Sequence, residues 1–485
     1  MLPLVLAVAL IKLWLIPAGA SFWVDETVTA FVVHQGGEDA SLAVAPQVPK
    51  SIYYGVARMA DGLFGTSEFG YRIPSMLAAA LALFLIGRLA ARLIHPDAAW
   101  FAIFACLSLK GVNAEATDAR PYALGFCVAA ASFLFLVRWL DGNRWLDAAL
   151  FVAMATLLWR VHLIFWPIYL VLCLYALIRR VRGETEVSWL RVLGAFALVG
   201  IALLPVAMDA IALNRGAGDH VIVDLPRFHD LTASLKGALI GSCAMAGVFI
   251  WMIAGQKSED GKISSTAAVL ALGWWLVQPA SLFAYSRFTG NSLFVGRYLS
   301  IGLPGAALAG TLLAGWFLPA RFWKPAALVL GLGALYVLRH GAGQQDSDWR
   351  GASASIARYS PETPVICPSP FIEAKAPEWS PGYHLPGFLY AHLATYPVRG
   401  RIFLFPYRKS AAAERYAAKL SRETLPASGR FVIYGGAYNT HVWRNWFRER
   451  PEFAGWNERS LGQFGDVDAV VFERRPAILP ARSER

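Results

Sequence analysis

Apolar residues along this chain come in long runs, with neither a 3.6- nor a 2.0-residue period. A bilayer core about 30 Å thick takes roughly 20 apolar residues per helix. Runs near that length lie at 3–20, 73–91, 121–140, 163–178, 190–210, 236–254, 266–284, 298–318 and 324–338. Two less clean runs lie at 98–114, which contains Lys110, and at 145–158, which stops at Trp159-Arg160. The pattern predicts a polytopic α-helical membrane protein of eleven spans. The first run ends in Ala18-Gly19-Ala20, which fits a signal-peptidase site. No basic stretch precedes it, however, and Lys12 interrupts it, so it is read as the first helix.

Beyond about residue 340 the pattern changes. The polar stretch Gly341–Asp348 reads as a linker. Short β-like runs follow at Pro364–Cys367, Arg401–Phe405, Phe431–Tyr434 and Ala469–Phe472. Helical patterns lie between them, at Ser410–Leu420 and Thr440–Arg450. Strands alternating with helices predict a small soluble α/β domain. Gly435-Gly436 follows a strand, but no phosphate-binding loop motif accompanies it. The predicted division is a transmembrane domain, 1–340, with a long external loop at 21–72, and a soluble domain, 341–485. In that loop Ile52, Val56, Ala60 and Leu63 recur at helical spacing, which reads as a helix lying on the membrane surface and stopping at Gly65.

Composition agrees with a membrane chain. Of the 485 residues, 56% are hydrophobic and 16% charged, whereas soluble domains carry about 25% charged residues. In a soluble domain the net charge of +11 would point to nucleic acid. Here Lys and Arg concentrate in the short segments 88–97, 138–147, 179–191, 255–265 and 319–325, so the charge reads as a topology signal, with no nucleic-acid partner. The positive-inside rule places those segments in the cytoplasm, and an odd number of spans leaves the tail outside. The five cysteines show no CxxC or His-Cys spacing, which predicts neither a disulfide framework nor a zinc site.

Ionisable groups near membrane helices are costly and therefore candidates for function. Asp25-Glu26 follows the first run directly; a carboxylate there suits a general base, or Asp25 caps a surface helix. Glu115, Asp118 and Arg120 lie between runs; an acid two residues before an arginine can orient it as an anion clamp, or the three form a solvated loop. Lys50 suits a phosphate contact or a lipid-facing snorkel. Arg160 and His162 suit substrate binding, or a histidine satisfied locally. Arg297-Tyr298 suits an anionic headgroup or an interfacial anchor. All five clusters fall on the external face of the predicted topology. Their charges suit a single purpose, with a carboxylate base beside cations that hold an anionic leaving group.

These residues resemble a known family. SFWVDETVTA resembles the Asp-Glu motif in the first external loop of GT-C glycosyltransferases. The nearest branch is the protein O-mannosyltransferase-like one, glycosyltransferase family 39, which includes the lipid A aminoarabinose transferase. VPKSIYYGVARMADGLFGTSEFGYRIPSMLAA resembles its amphipathic segment and second span, and ATDARPYAL its acidic-x-Arg-x-Tyr pattern. LLWRVHLIFWP resembles its His-bearing span start, FVGRYLSIGLPGAALAG its late Arg-Tyr span, and SDWRGASASIA the start of its periplasmic tail. The likeness runs in order over most of 1–355. Two departures bear on donor and acceptor identity: Val48-Pro49-Lys50 stands where many relatives carry a His-Pro-Pro-like stretch, and Asp118 where glutamate is more usual.

The resemblance implies an inverting glycosyltransferase of the bacterial inner membrane, working at the periplasmic face on a polyprenyl-phosphate-linked sugar. It implies Asp25 as base with Glu26 beside it, and Lys50, Arg120, Arg297 and Tyr298 on the donor phosphate. Glu115, Asp118, Tyr122, Arg160 and His162 would shape the substrate site. The acceptor would be a glycan, lipid or protein hydroxyl, with membrane lipids around the chain. No cofactor is expected to be obligatory, and no metal site is assigned, although so many carboxylates leave a divalent ion open. The rival class is a transporter or lipid flippase. Transporters place charge at the midplane and show internal repeats; no repeat is evident here.

Overall fold

A computed structural model describes residues 1–215, 223–254, 264–338, 347–359, 362–374 and 379–475. Most of the expected linker 341–348 and of the basic segment 255–265 lies outside them. The chain forms two compact units: Met1–Gly19 with Lys50–Gln344, and Ala20–Pro49 with Gln345–Arg485.

The first unit is helical, and every one of the eleven apolar runs has folded into helix. Among the described residues, seven of those helices are long and apolar enough to cross a membrane, or eight if the bent pair Phe228–Ser234 and Gly237–Met252 is one span. Three of the eleven expected spans fall below that length among the described residues. Trp145–Val161 has 17 residues, Trp323–Val337 has 15 and Ala98–Leu107 only 10, each short of a bilayer core at 1.5 Å per residue.

The break after Leu107 has a local cause. The side-chain amide of Asn113 donates to the carbonyls of Leu107 and Leu109, at 2.7 and 3.1 Å, and its oxygen accepts from Trp14 Nε1 at 2.9 Å. The buried amide satisfies carbonyls freed at the break, after which a second helix, Lys110–Ala116, begins.

At one end of this unit the short basic segments meet. Arg92 and Arg179 both pair with Asp141 at 2.7 Å, Arg191 donates to Asn143 at 3.0 Å, and Lys324 pairs with Asp97 at 3.1 Å. The helix Tyr53–Phe64 buries Tyr53, Tyr54, Ala57 and Ala60 and leaves Val56, Met59, Leu63 and Phe64 exposed, an apolar face suited to lipid. It stops at Gly65, whose φ of +74° a side chain would resist.

The second unit is an α/β layer. Its strands are β1 (Val365–Pro368), β2 (Ile402–Phe405), β3 (Arg430–Gly436), β4 (Asn457–Ser460) and β5 (Val467–Glu473). They form one sheet in the order β2-β1-β3-β5-β4. β1 runs parallel to β2 and β3; β5 runs antiparallel to β3 and β4. Helices Trp349–Tyr359, Ala411–Glu423 and Ala437–Arg448 accompany the sheet, each with an apolar buried stripe.

Ala20–Pro49, part of the predicted membrane domain, packs in this unit instead. The Phe22 amide donates to Tyr396 Oη at 2.9 Å, the Arg350 amide to Ser21 Oγ at 3.2 Å, and the Phe388 amide to Ser41 Oγ at 2.9 Å.

Candidate active site

In the first unit, local hydrogen bonds stitch together three stretches that the sequence singles out. Ser51 Oγ donates to the Val161 carbonyl at 2.6 Å, and the Ile52 amide to the Arg160 carbonyl at 3.1 Å. Arg120 Nη1 donates to Tyr54 Oη at 3.2 Å. The turn after Lys50 is thereby tied both to the Arg120 loop and to the His162 turn.

His162 caps the turn Leu163–Phe165: its Nδ1 accepts from the Ile164 amide at 3.2 Å, so the ring proton belongs on Nε2. The ring stacks on Tyr122, centroids 5.6 Å apart, and lies 5.7 Å from Tyr298. The Arg297 guanidinium lies 5.4 Å from the Tyr298 ring. Burial, then the positive charges of Arg120 and Arg297, push the imidazole down to about 3. His162 is therefore neutral at physiological pH, a hydrogen-bonding group and not a third cation.

Glu115 and Asp118 are 3% and 1% exposed. Arg120, Arg297 and Glu115 all lie within electrostatic reach of the buried Tyr122. The structure thus gathers Glu115, Arg120, Tyr122, His162, Arg297 and Tyr298: two guanidinium groups beside three stacked or tilted rings, with a buried carboxylate. Such a set can hold an anion, since guanidinium and phosphate match geometrically and the buried setting strengthens the pairing.

Two further candidates have polar partners of their own. Lys50 pairs with Asp209, Nζ to Oδ1 2.6 Å, with its side chain half exposed. Arg160 donates to the Ala202 carbonyl at 2.9 Å and so helps hold the helix Trp189–Arg215.

Asp25 and Glu26 belong to the second unit. They open the helix Val24–Gln35, where their charges favour its N-terminus. The capping role considered for Asp25 falls to Glu26, whose Oε2 accepts from the Trp23 amide at 3.2 Å. Glu26 is fully buried, while Asp25 keeps part of its surface accessible. Among the described residues no group of three or more His, Cys, Asp or Glu side chains is placed to hold a metal ion.

Three supporting residues escaped the sequence reading. Tyr54 receives Arg120, and Asp209 receives Lys50. Gln278 Nε2 donates to the carbonyls of Ile164 and Tyr298, at 3.1 and 2.9 Å, fastening the His162 turn to the Arg297 segment. A buried glutamine inside an apolar run is a signal that could have flagged it.

The chain thus joins a multi-pass set of apolar helices to a small α/β domain, a fold it shares with a solved protein. In particular it resembles ArnT from Cupriavidus metallidurans, solved in the apo state: TM-score 0.56, 13% identity, 97% of each chain covered. The same protein solved bound to undecaprenyl phosphate matches with TM-score 0.54 and 13% identity, again over 97% of each chain. Residues 53–206 match the family model described as dolichyl-phosphate-mannose-protein mannosyltransferase. No curated protein matches the chain in sequence.

Proposed function

We propose that the chain is an inverting glycosyltransferase that moves a sugar from a polyprenyl-phosphate donor to an acceptor hydroxyl. The reaction runs at the periplasmic face of a bacterial inner membrane and serves cell-envelope glycan, lipopolysaccharide or protein glycosylation. The observation that carries this reading is that Arg120 and Arg297 both act electrostatically on the stacked pair Tyr122 and His162, with Arg297 over the Tyr298 ring. The likeness to a protein solved with undecaprenyl phosphate supports it.

In this reading the acceptor oxygen attacks the anomeric carbon from the face opposite the phosphate. A carbon–oxygen bond forms there, and the bond to the phosphate oxygen breaks with its electron pair leaving on the lipid phosphate. Configuration inverts. Asp25 takes the acceptor proton, with Glu26 fixing the helix end on which Asp25 stands. A lipid phosphate needs no proton to leave if its charge is held; Arg120, Arg297 and Lys50 supply that hold. Neutral His162, with Tyr122, Glu115 and Asp118, shapes the sugar pocket.

The test is turnover of a panel of labelled polyprenyl-phosphate sugars by the full chain in liposomes, with envelope extract as acceptor. We expect transfer from one donor, and a loss of about 10² to 10⁴ in rate for Asp25→Asn. No transfer by folded protein from any donor would favour the transporter reading.

A further inference from the structure

We propose that a cavity in the helical unit is an anion-binding site built on Lys110 and Lys236, two residues outside the site described above. The cavity holds about 530 Å³ and is lined by Lys110, Glu115, Asp230, Lys236, Phe294 and Arg297 among others. That volume suits a small ligand such as a saccharide with one charged substituent.

Both lysines are placed at a local cost. Lys236 has φ of +52°, a backbone that only glycine adopts freely. It occupies the break between Phe228–Ser234 and Gly237–Ala254, where the helix axis bends by 45°. The break is pinned from outside, since Trp275 Nε1 donates to the Leu235 carbonyl at 2.8 Å. Lys110 is the first residue of Lys110–Ala116, where a positive charge opposes the helix dipole. Residues held against local preference concentrate where a ligand needs them.

Neither ammonium has an ion-pair or hydrogen-bond partner among the described residues. The two carboxylates on the walls are engaged elsewhere or buried. Asp230 Oδ2 accepts from the Arg227 amide at 2.7 Å and its Oδ1 lies 3.9 Å from His229, while Glu115 is 3% exposed. Three cations against two carboxylates leave the cavity one positive charge in excess. Two ammonium groups at one cavity, without partners among the described residues, suit a phosphate or carboxylate.

That anion has two sources, a charged substituent on a substrate or the headgroup of an anionic lipid. The substrate source rests on the proposed transfer reaction. Arg297 is assigned to the donor phosphate there, so Lys110 and Lys236 would read a second negative group on the transferred sugar or the acceptor.

Full-length protein in phosphate-free dodecyl maltoside is titrated calorimetrically with glucose 6-phosphate, glucuronate and glucose. We expect both charged sugars to bind and glucose not to. K110Q/K236Q should weaken charged-sugar binding at least tenfold, and Lys236→Arg should retain it. Lys236→Gly removes the backbone cost while losing the charge, so a folded, weakly binding Lys236→Gly protein separates ligand contact from folding. Equal affinity in K110Q/K236Q, or no binding of either charged sugar, overturns the proposal. Repeating the titration with phosphatidylglycerol in the micelle assigns the source. Unchanged affinity places the anion on a substrate; a tenfold or greater loss places a lipid headgroup on the two lysines. Binding is read without turnover, so failure of the transfer reaction and failure of this site are told apart.

Discussion

Arg120 shows how many roles a single side chain can hold. Its guanidinium donates to Tyr54 and acts on His162 and Tyr122 through space. Removing a charge-assisted contact costs roughly 1.5–3 kcal/mol, so Arg120→Gln should lower kcat/KM for the lipid donor about 10- to 100-fold. Tyr54→Phe keeps the cation and should lose less than tenfold; steady-state kinetics with varied donor decides between them.

His392, in the second unit, gives a prediction of different kind. The imidazole is fully buried, with Nε2 3.3 Å from Cys367 Sγ and the Trp349 ring 4.5 Å away. Burial holds it at about 3, against 6.5 in an open chain. Between those values the unfolded chain binds the extra proton and the folded one does not, so stability from this residue is complete above about 6.5 and drains away as pH falls toward 3. The shift corresponds to something on the order of 4 kcal/mol at full burial. The melting temperature of His392→Gln should therefore fall less between pH 7 and 4 than that of the parent chain, whatever its value at pH 7.

At the scale of elements, glycine spacing sets helix approach. A Cβ on Gly305 would sit 2.4 Å from the Trp275 backbone nitrogen and 2.6 Å from the Trp274 carbonyl carbon. The helices Leu303–Gly315 and Ser265–Thr289 meet backbone to backbone there. Gly305→Ala cannot be absorbed by a rotamer change and should force the two apart. We expect a marked loss of folded protein on size-exclusion chromatography, whereas alanine at Gly333, with open space around it, should be tolerated.

Elements are also where the sequence was most readable. Apolar runs foretold every long helix, and β-branched runs foretold β1, β2, β3 and β5 within two residues or so. β4 was missed because Asn457–Ser460 is short, polar and mostly exposed, an edge strand held only by its pairing with β5. The break after Leu107 was not legible because it rests on the Asn113 side-chain amide turning back onto the Leu107 and Leu109 carbonyls, which no apolar pattern records. Of the residues the structure gathers, Arg120, His162 and Arg297 stand out in the sequence as polar residues among apolar ones, and Tyr122 through the resemblance alone. Asp209 does not, since its meaning lies in its partner Lys50.

For the whole molecule, charge bias and span count must agree. The short basic segments gather at one end of the helical unit through Asp141, Asp97 and Asn143. If that end is cytoplasmic, an odd count of spans carries the C-terminal domain to the periplasm. Seven spans satisfy this and eight do not. An alkaline phosphatase fused after Arg485 should be active; an inactive fusion would make the count even and overturn the assigned side.

The chain order of the second unit has a consequence for how the protein is made. Phe22 and Tyr396 touch across 374 positions, so the helix that carries Asp25 leaves the ribosome long before the sheet it folds with. Until the last strands are synthesised, the lipid-embedded helices can insert but the Asp25 segment has no finished scaffold. A prematurely terminated product therefore leaves the Asp25 segment without the residues it packs against.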